Sequence, residues 1–342
     1  VSGTADATTP QGGRPSMANS TAQGGRSSMA NTTPQGGRPA PIADLRRFAL
    51  HTITTKPWPI ERAIDEYARA GFGGISIWRD AMQGRDPAAV RRQLREAGLT
   101  GVSLVRGGFF AHADAAARAA ALEENRRCIA EAEALELPLI VLVCGAAPEL
   151  ALAESRAMIA DSLAVLAPEA RAAGVRLGIE PLHPMYADTR SAINTLAQAN
   201  RIAREVNAGA GTEGARSPQP EGGPGAGGAP RQPSGVGPTV CSVVDVYHLW
   251  WDENLPADIA EAGREDVLAA FHVCDWRVPT EHMLLDRGLM GEGCIDVPAI
   301  RAEVERAGFT GLIEVEIFSE KEWARDQSEW LARVAAACTG AV

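Results

Sequence analysis

The feature that most constrains this chain is an apolar run followed by an amphipathic stretch, repeated eight times in order. Runs rich in Val, Ile, Leu and Phe fall at 47–53, 74–78, 101–106, 138–144, 175–180, 240–246, 270–274 and 311–317. Between them lie segments with a 3.6-residue apolar period, such as "PIERAIDEYARAG" (59–71), "DPAAVRRQLREAG" (86–98) and "IDVPAIRAEVERAG" (295–308). Several stop on glycine, at Gly71, Gly98, Gly174 and Gly308, the residue that most readily takes the left-handed conformation closing a helix. Strands separated by helices pair in parallel, and eight such units are the number that closes a barrel. Residues 42–342 without the stretch 208–238 leave 270, against roughly 250 for a (β/α)₈ barrel. The fold class is therefore predicted as α/β, a (β/α)₈ TIM barrel. An open doubly wound sheet would want a phosphate-binding glycine turn after its first strand, where "TITTKPWP" stands instead.

Two segments fall outside the pattern. Residues 1–41 are low in complexity, with "QGGR" recurring at 11, 23 and 35. They hold too little apolar surface to offset the entropy of ordering and are predicted to form a disordered tail before a barrel domain at 42–342. Residues 208–238 are rich in Gly and Pro and read as a flexible insert between the fifth helix and the sixth strand, on the barrel face opposite the working one. The formal charge of −10 argues against nonspecific nucleic-acid binding, which needs cations to displace counterions from phosphates. No apolar run reaches the ~18 residues of a membrane span, and the N-terminus lacks a secretory signal, so a cytoplasmic protein is expected. The six cysteines include no C-x-x-C pair, and Cys144, Cys241 and Cys274 lie in apolar runs, as buried reduced thiols do.

In such a barrel the working site sits at the C-terminal ends of the strands. Strand five ends "GIEP", which delivers Glu180; strand six, "CSVVDVYHLWW", delivers Asp245 and then His248. Strand seven, "FHVCDW", delivers His272, Asp275 and Trp276; strand eight, "GLIEVEIFS", delivers Glu314 and Glu316. The two glutamates share one side of their strand, and Glu316 is preferred because it lies nearer the C-terminal end. Each residue alone has a plain reading, as a salt bridge or a hydrogen-bonded core histidine. Agreement of position over four successive strands favours a shared divalent cation, because an unpartnered buried carboxylate is too costly. Oxygen and nitrogen donors without thiolate suit Mn²⁺ best, then Co²⁺, Mg²⁺ or Zn²⁺. Trp78 and Arg79 of "IWRD" and Arg106 of "VRGG" stand at two further strand ends, where an indole can stack on a sugar ring and a guanidinium can hold an anion. An Arg–Asp bridge to Asp80 is the competing reading for both arginines. The long segment 277–294 reads as a lid; His282 and Arg287 are candidates to meet substrate alongside Trp276, with a plain loop role as the competing reading for both. His51 would line the pocket floor.

The stretches "IEPLHP", "DVYH", "FHVCD", "DRGLMGEGCID" and "GLIEVEIFS", with "GISIWRD" and "LVRGGFF", resemble the xylose isomerase-like superfamily of sugar phosphate isomerases and epimerases over about 42–340. The resemblance implies that Glu180, Asp245, His272 and Glu316 ligate the metal. It implies that Glu180 and Glu316 double as acid and base on opposite faces of a bound ketose, and that His248 holds a substrate oxygen. The implied activity is isomerisation or epimerisation of a sugar, sugar phosphate or cyclitol through proton abstraction beside a metal-held carbonyl and an enediolate. A lyase on the same site, acting on an inosose, a dehydroshikimate or a 3-keto-glycoside, shares that first step. An apurinic-site phosphodiesterase is disfavoured, since strands two and three end without histidine. Tyr186 stands where ketohexose epimerases of the superfamily carry a further carboxylate, and Arg277 only approximates their arginine after the strand-seven histidine. The implied partner is a small carbohydrate or cyclitol, with neither nucleic acid nor membrane; homo-oligomers are common in the superfamily, though no self-association motif is visible.

Overall fold

The computed structural model describes residues 39–213 and 237–342. Most of the predicted tail and of the Gly/Pro-rich insert lies outside these residues. At the tail's described end, the Ala40 carbonyl accepts a hydrogen bond from Arg301 at 2.7 Å.

Eight parallel strands close a barrel in the order β1-β10-β7-β6-β5-β4-β3-β2. They are β1 (Phe48–His51), β2 (Gly74–Trp78), β3 (Thr100–Gly108), β4 (Leu139–Val143), β5 (Arg176–Ile179), β6 (Val240–Asp245), β7 (Leu268–Val273) and β10 (Ile313–Val315). The predicted runs overlap all eight. The eighth strand is shorter than its apolar run, so Glu316 and Ile317 lie just beyond it. Two-residue strands β8 (Asp275–Trp276) and β9 (Arg287–Gly288) pair antiparallel within the long segment after β7, a ribbon that no sequence pattern announced.

Helices α1 (Ile60–Ala70), α2 (Pro87–Ala97), α3 (Ala115–Leu135), α4 (Leu152–Ala172), α5 (Leu196–Glu213), α7 (Leu255–Arg264) and α8 (Val297–Arg306) cover the barrel, with α6 (Val246–Leu249), α9 (Glu320–Trp323) and α10 (Gln327–Ala341) near its ends. Helix α1 forms because Ile60, Ala63, Ile64 and Tyr67 fall on one buried face. Each large apolar side chain so buried stabilises by about 1.5–3 kcal/mol. The helix stops where Gly71, at φ 94°, turns left-handed and donates to the carbonyls of Ala68 and Tyr67. Helix α5 runs on to Glu213, so residues 208–213, assigned to the insert from composition, are helical. None of the described helices is long and apolar enough to cross a membrane.

The register positions the site. Ala49 pairs with Glu314, Glu314 with His272, and His272 with Asp245, which sets the chemistry of three neighbouring strands at one level. The amides of Glu180 and Glu316 continue the ladder one step further, donating to Leu142 and Val273 carbonyls at 3.1 Å each. Apolar packing fills the space between strands and helices. The end of the interior at the strand C-termini is instead lined by buried polar side chains, among them His51, Ser76, Ser103, Glu180, Asp245, His272, Glu314 and Glu316.

Candidate metal centre

Glu180, Asp245, His272 and Glu316 are each at most 4% exposed. Each offers a ligand atom, and these atoms all lie within 4.8 Å of one another. His272 Nδ1 stands 2.9 Å from Glu180 Oε1, yet neither atom makes a hydrogen bond. A donor and an acceptor this close and this deeply buried would normally align. Two lone pairs converging on a common point leave them unaligned, and that is the geometry of metal ligands. His272 Nε2 faces Glu314 Oε2 at 3.7 Å, the way a ligating histidine presents its far nitrogen to a carboxylate. Nitrogen and oxygen donors without sulfur fit a hard or borderline divalent cation.

Charge counting leads to the same place. Glu180, Asp245, Glu314 and Glu316 bring four carboxylates into one buried volume. Arg287 and two imidazoles are the cations facing them, so even with His51 and His272 both protonated one negative charge is left over. Burial alone would lower the His272 pKa, but the carboxylates of Glu314, Glu180 and Glu316 outweigh it and push it up to about 10. For Asp245, burial and the neighbouring Glu180 and Glu316 prevail over Arg287 and push it up to about 6. For Glu316 burial is overcome by His51 and Arg287, which hold it well below the usual carboxylate range.

Glu314, set aside in favour of Glu316 from sequence, forms a second potential cation cluster with His51 and His272. Ser76 and Ser103 donate to its Oε2 at 2.5 and 3.0 Å. His51 is a bridge rather than a passive floor. Its Nε2 is 3.2 Å from Glu314 Oε2, and its Nδ1 is 3.1 Å from Glu316 Oε1 and receives the Trp78 indole N–H at 3.2 Å.

His248 is buried and neutral, its pKa driven well below the ordinary value by burial and by Arg287. The His183 amide donates to its Nδ1 at 3.2 Å, and its Nε2 lies 3.2 Å from Arg287 Nη2, so both ring nitrogens face donors at the edge of the cleft. Arg287 is 2% exposed and donates to Asp245 Oδ2 at 3.2 Å and Glu316 Oε2 at 2.9 Å. Its guanidinium lies between the rings of Tyr247 and Phe318, 4.4 and 5.0 Å from their centroids. Arg287, expected to meet substrate, lines the cleft and makes two of its five hydrogen bonds to ligand carboxylates, the others going to Cys274 Sγ, the Glu316 carbonyl and His248 Nε2.

Arg79 pairs with Glu124 and Glu131 on α3 at 2.7 Å each rather than with Asp80, and lines the groove beside the cleft. Trp78 lines the cleft, whereas Trp276 stacks on Tyr247 with centroids 4.7 Å apart. Arg277 belongs to a network with Asp286, Glu292 and Glu322. His282 accepts the amides of Leu284 and Leu285 and so shapes the loop. Tyr186, at the position of the missing carboxylate, donates to the Met283 carbonyl at 3.0 Å, as Tyr247 does at 2.8 Å. Asp275 organises the segment after β7 by accepting the amides of Trp276, Gly291, Gly293 and Ile295. The resulting loop closes the cleft over Glu180, His248 and Glu316 with Leu284 and Arg287, leaving a volume of about 20 Å³. Beside it a groove of about 510 Å³ opens along Trp78, Arg106, Phe109 and α3.

The family model of the xylose isomerase-like TIM barrel matches residues 64–211 and 235–334. Protein SMc04130 from Sinorhizobium meliloti 1021 is 36% identical, with a TM-score of 0.74 over 86% of this chain and 98% of that one. The IolI protein with a bound zinc atom is 18% identical, with a TM-score of 0.67 over 85% of this chain and 96% of its own. A D-psicose 3-epimerase crystallised in the presence of D-fructose is 15% identical, with a TM-score of 0.62 over 85% and 96%. These last two similarities concern the fold. No curated protein matches the chain by sequence.

Proposed function

The chain belongs to the xylose isomerase-like TIM-barrel family, and from that premise we propose that it is a divalent-metal-dependent isomerase or epimerase of a sugar, sugar phosphate or cyclitol. The observation that carries this reading is the convergence of Glu180, Asp245, His272 and Glu316 on one point, with buried ligand atoms left without hydrogen bonds. These four residues would hold the ion, with Mn²⁺ the best match to a carboxylate-rich set. When bound, the ion would polarise a substrate carbonyl and so acidify the neighbouring C–H.

The remaining steps fall to the chain's own side chains. Glu316 is kept ionised by His51 and Arg287, the form that a general base requires. Glu180 approaches from β5, three strands round the barrel from β10, and so can serve the other face of a substrate held between them. His248, which lines the cleft beside Glu180 and Glu316, would hold a substrate oxygen. Arg287 fixes the carboxylates of Asp245 and Glu316 and spares both a rotamer search. The loop latched by Tyr186 and Tyr247 excludes water from the closed cleft.

The test is incubation of the metal-loaded protein with ketoses, inososes and 3-keto-glycosides in D₂O. Solvent deuterium entering the carbon next to the carbonyl, with no loss of water or aglycone, is the expected result. Exchange accompanied by elimination would move the assignment to a lyase on the same site. No exchange into any of these classes would remove the reading.

A further inference from the structure

Two arginines stand at the mouth of the cleft without an ion pair. Among the described residues, neither the Arg106 nor the Arg190 side chain makes a hydrogen bond or an ion pair, although the chain pairs many of its other arginines with carboxylates. Each guanidinium lies over an aromatic ring instead. Arg106 is 4.4 Å from the Phe109 centroid and Arg190 is 5.5 Å from that of Tyr186. The two rings are not independent. Phe109 and Tyr186 pack in one small apolar cluster with Val143, Leu182 and Met185, so the two cations share a single platform. The backbone ties them as well: the Arg190 carbonyl accepts the Gly145 amide at 2.9 Å, and Gly145 abuts Phe109.

Both side chains are half-buried, so water only partly screens them. Burial and the neighbouring Arg190 both lower the Arg106 pKa, against the smaller opposing influence of Asp80 and Glu180. Like charges held together with no carboxylate bonded to either are less favourable than a pair bridged by a ligand's anion. Arg190 lines the cleft with Glu180, His248 and Glu316, and Arg106 lines the adjoining groove, so such an anion would sit beside the reacting atoms.

We propose that Arg106 and Arg190 form an oxyanion-binding subsite, and that the substrate therefore carries a carboxylate or a phosphate ester and is not a neutral sugar. This rests on the reading of the cleft as a catalytic site, but its test does not need the metal. Guanidinium groups hold either oxyanion with paired, charge-assisted hydrogen bonds, so the two chemistries are separated by experiment.

Inorganic phosphate and glycolate are titrated calorimetrically into the full chain after EDTA treatment, with ethylene glycol as the neutral control. Saturable binding of at least one anion is expected, weakened about tenfold or more in Arg106→Gln and in Arg190→Gln and partly restored in Arg106→Lys. Unchanged melting temperatures in these variants would show that folding is intact. Preference for phosphate supports the subsite and assigns an ester, while preference for glycolate supports it and assigns an acid. Binding of neither anion, or equal binding in both Gln variants, overturns the proposal. A chain that binds metal but neither anion loses only this subsite. One that binds anions through these arginines but takes up no metal loses only the catalytic reading.

Discussion

Loading the EDTA-treated protein with Mn²⁺ is expected to release close to one proton per chain at neutral pH, and that proton comes from His272. In the metal-free site its imidazole is surrounded by Glu314, Glu180 and Glu316 and is pushed up to about 10 despite its burial. At about pH 7.5 it is protonated in nearly every molecule, and it must become neutral to coordinate. Displacing a proton roughly 2.5 pH units below its midpoint costs about 3 kcal/mol, which is subtracted from the intrinsic metal affinity. The apparent association constant should therefore rise about tenfold per pH unit between roughly pH 6.5 and 9 and then level off. Towards pH 6 the release should grow further, because Asp245, raised to about 6, then also sheds a fraction of a proton. Isothermal titration calorimetry in buffers of different ionisation enthalpy reads the proton count directly. Metal binding without proton release, at an affinity flat over this range, would show that His272 is not the nitrogen ligand.

Four further outcomes follow from the same geometry. Glu180→Gln and Glu316→Gln should each slow solvent deuterium exchange into substrate by about 10²-fold or more, measured by NMR, while the circular dichroism spectrum stays unchanged. The chelated protein should lose stability as pH rises: His272, raised above its unfolded value near 6.5, contributes fully below that pH and progressively less up to about 10, so the melting temperature should fall across this window. Added metal should reverse that slope. Gly293→Ala should destabilise by about 2 kcal/mol or more in urea unfolding, because its Cβ would meet the Trp276 carbonyl oxygen at 2.1 Å. Tyr186→Phe combined with Tyr247→Phe removes both hydrogen bonds to the Met283 carbonyl, each worth about 1 kcal/mol, and should speed amide exchange across 277–294 with little effect on the barrel strands.

The barrel was legible because its signals are periodic and local. Helix faces such as Ile60–Ile64–Tyr67 and closing glycines such as Gly71 depend only on near neighbours. The four ligand candidates were legible for a related reason: once eight parallel strands are granted, the last residue of each is placed at one end. What the sequence hid is whatever depends on contacts across the ring. Arg79 meets glutamates 45 and 52 residues away on α3, and nothing in "IWRD" says so. His51 becomes a bridge between Glu314 and Glu316 only because β1 closes the barrel against β10. Arg287 read as a lid residue because its segment lacks periodicity; the ribbon of β8 and β9 turns it inward. Arg190 stood in no motif at all, and its place beside Arg106 rests on the packing of Phe109 with Tyr186.

The most direct test of the metal centre is the divalent-metal content of the full chain, measured by elemental analysis as isolated and after reloading with Mn²⁺, beside the variant Asp245→Asn/His272→Gln. One ion per wild-type chain, lost on EDTA treatment and absent from the double variant, is the expected result. A chain that takes up no ion at millimolar Mn²⁺, Co²⁺, Mg²⁺ or Zn²⁺, or a double variant that retains one ion per chain, would contradict it.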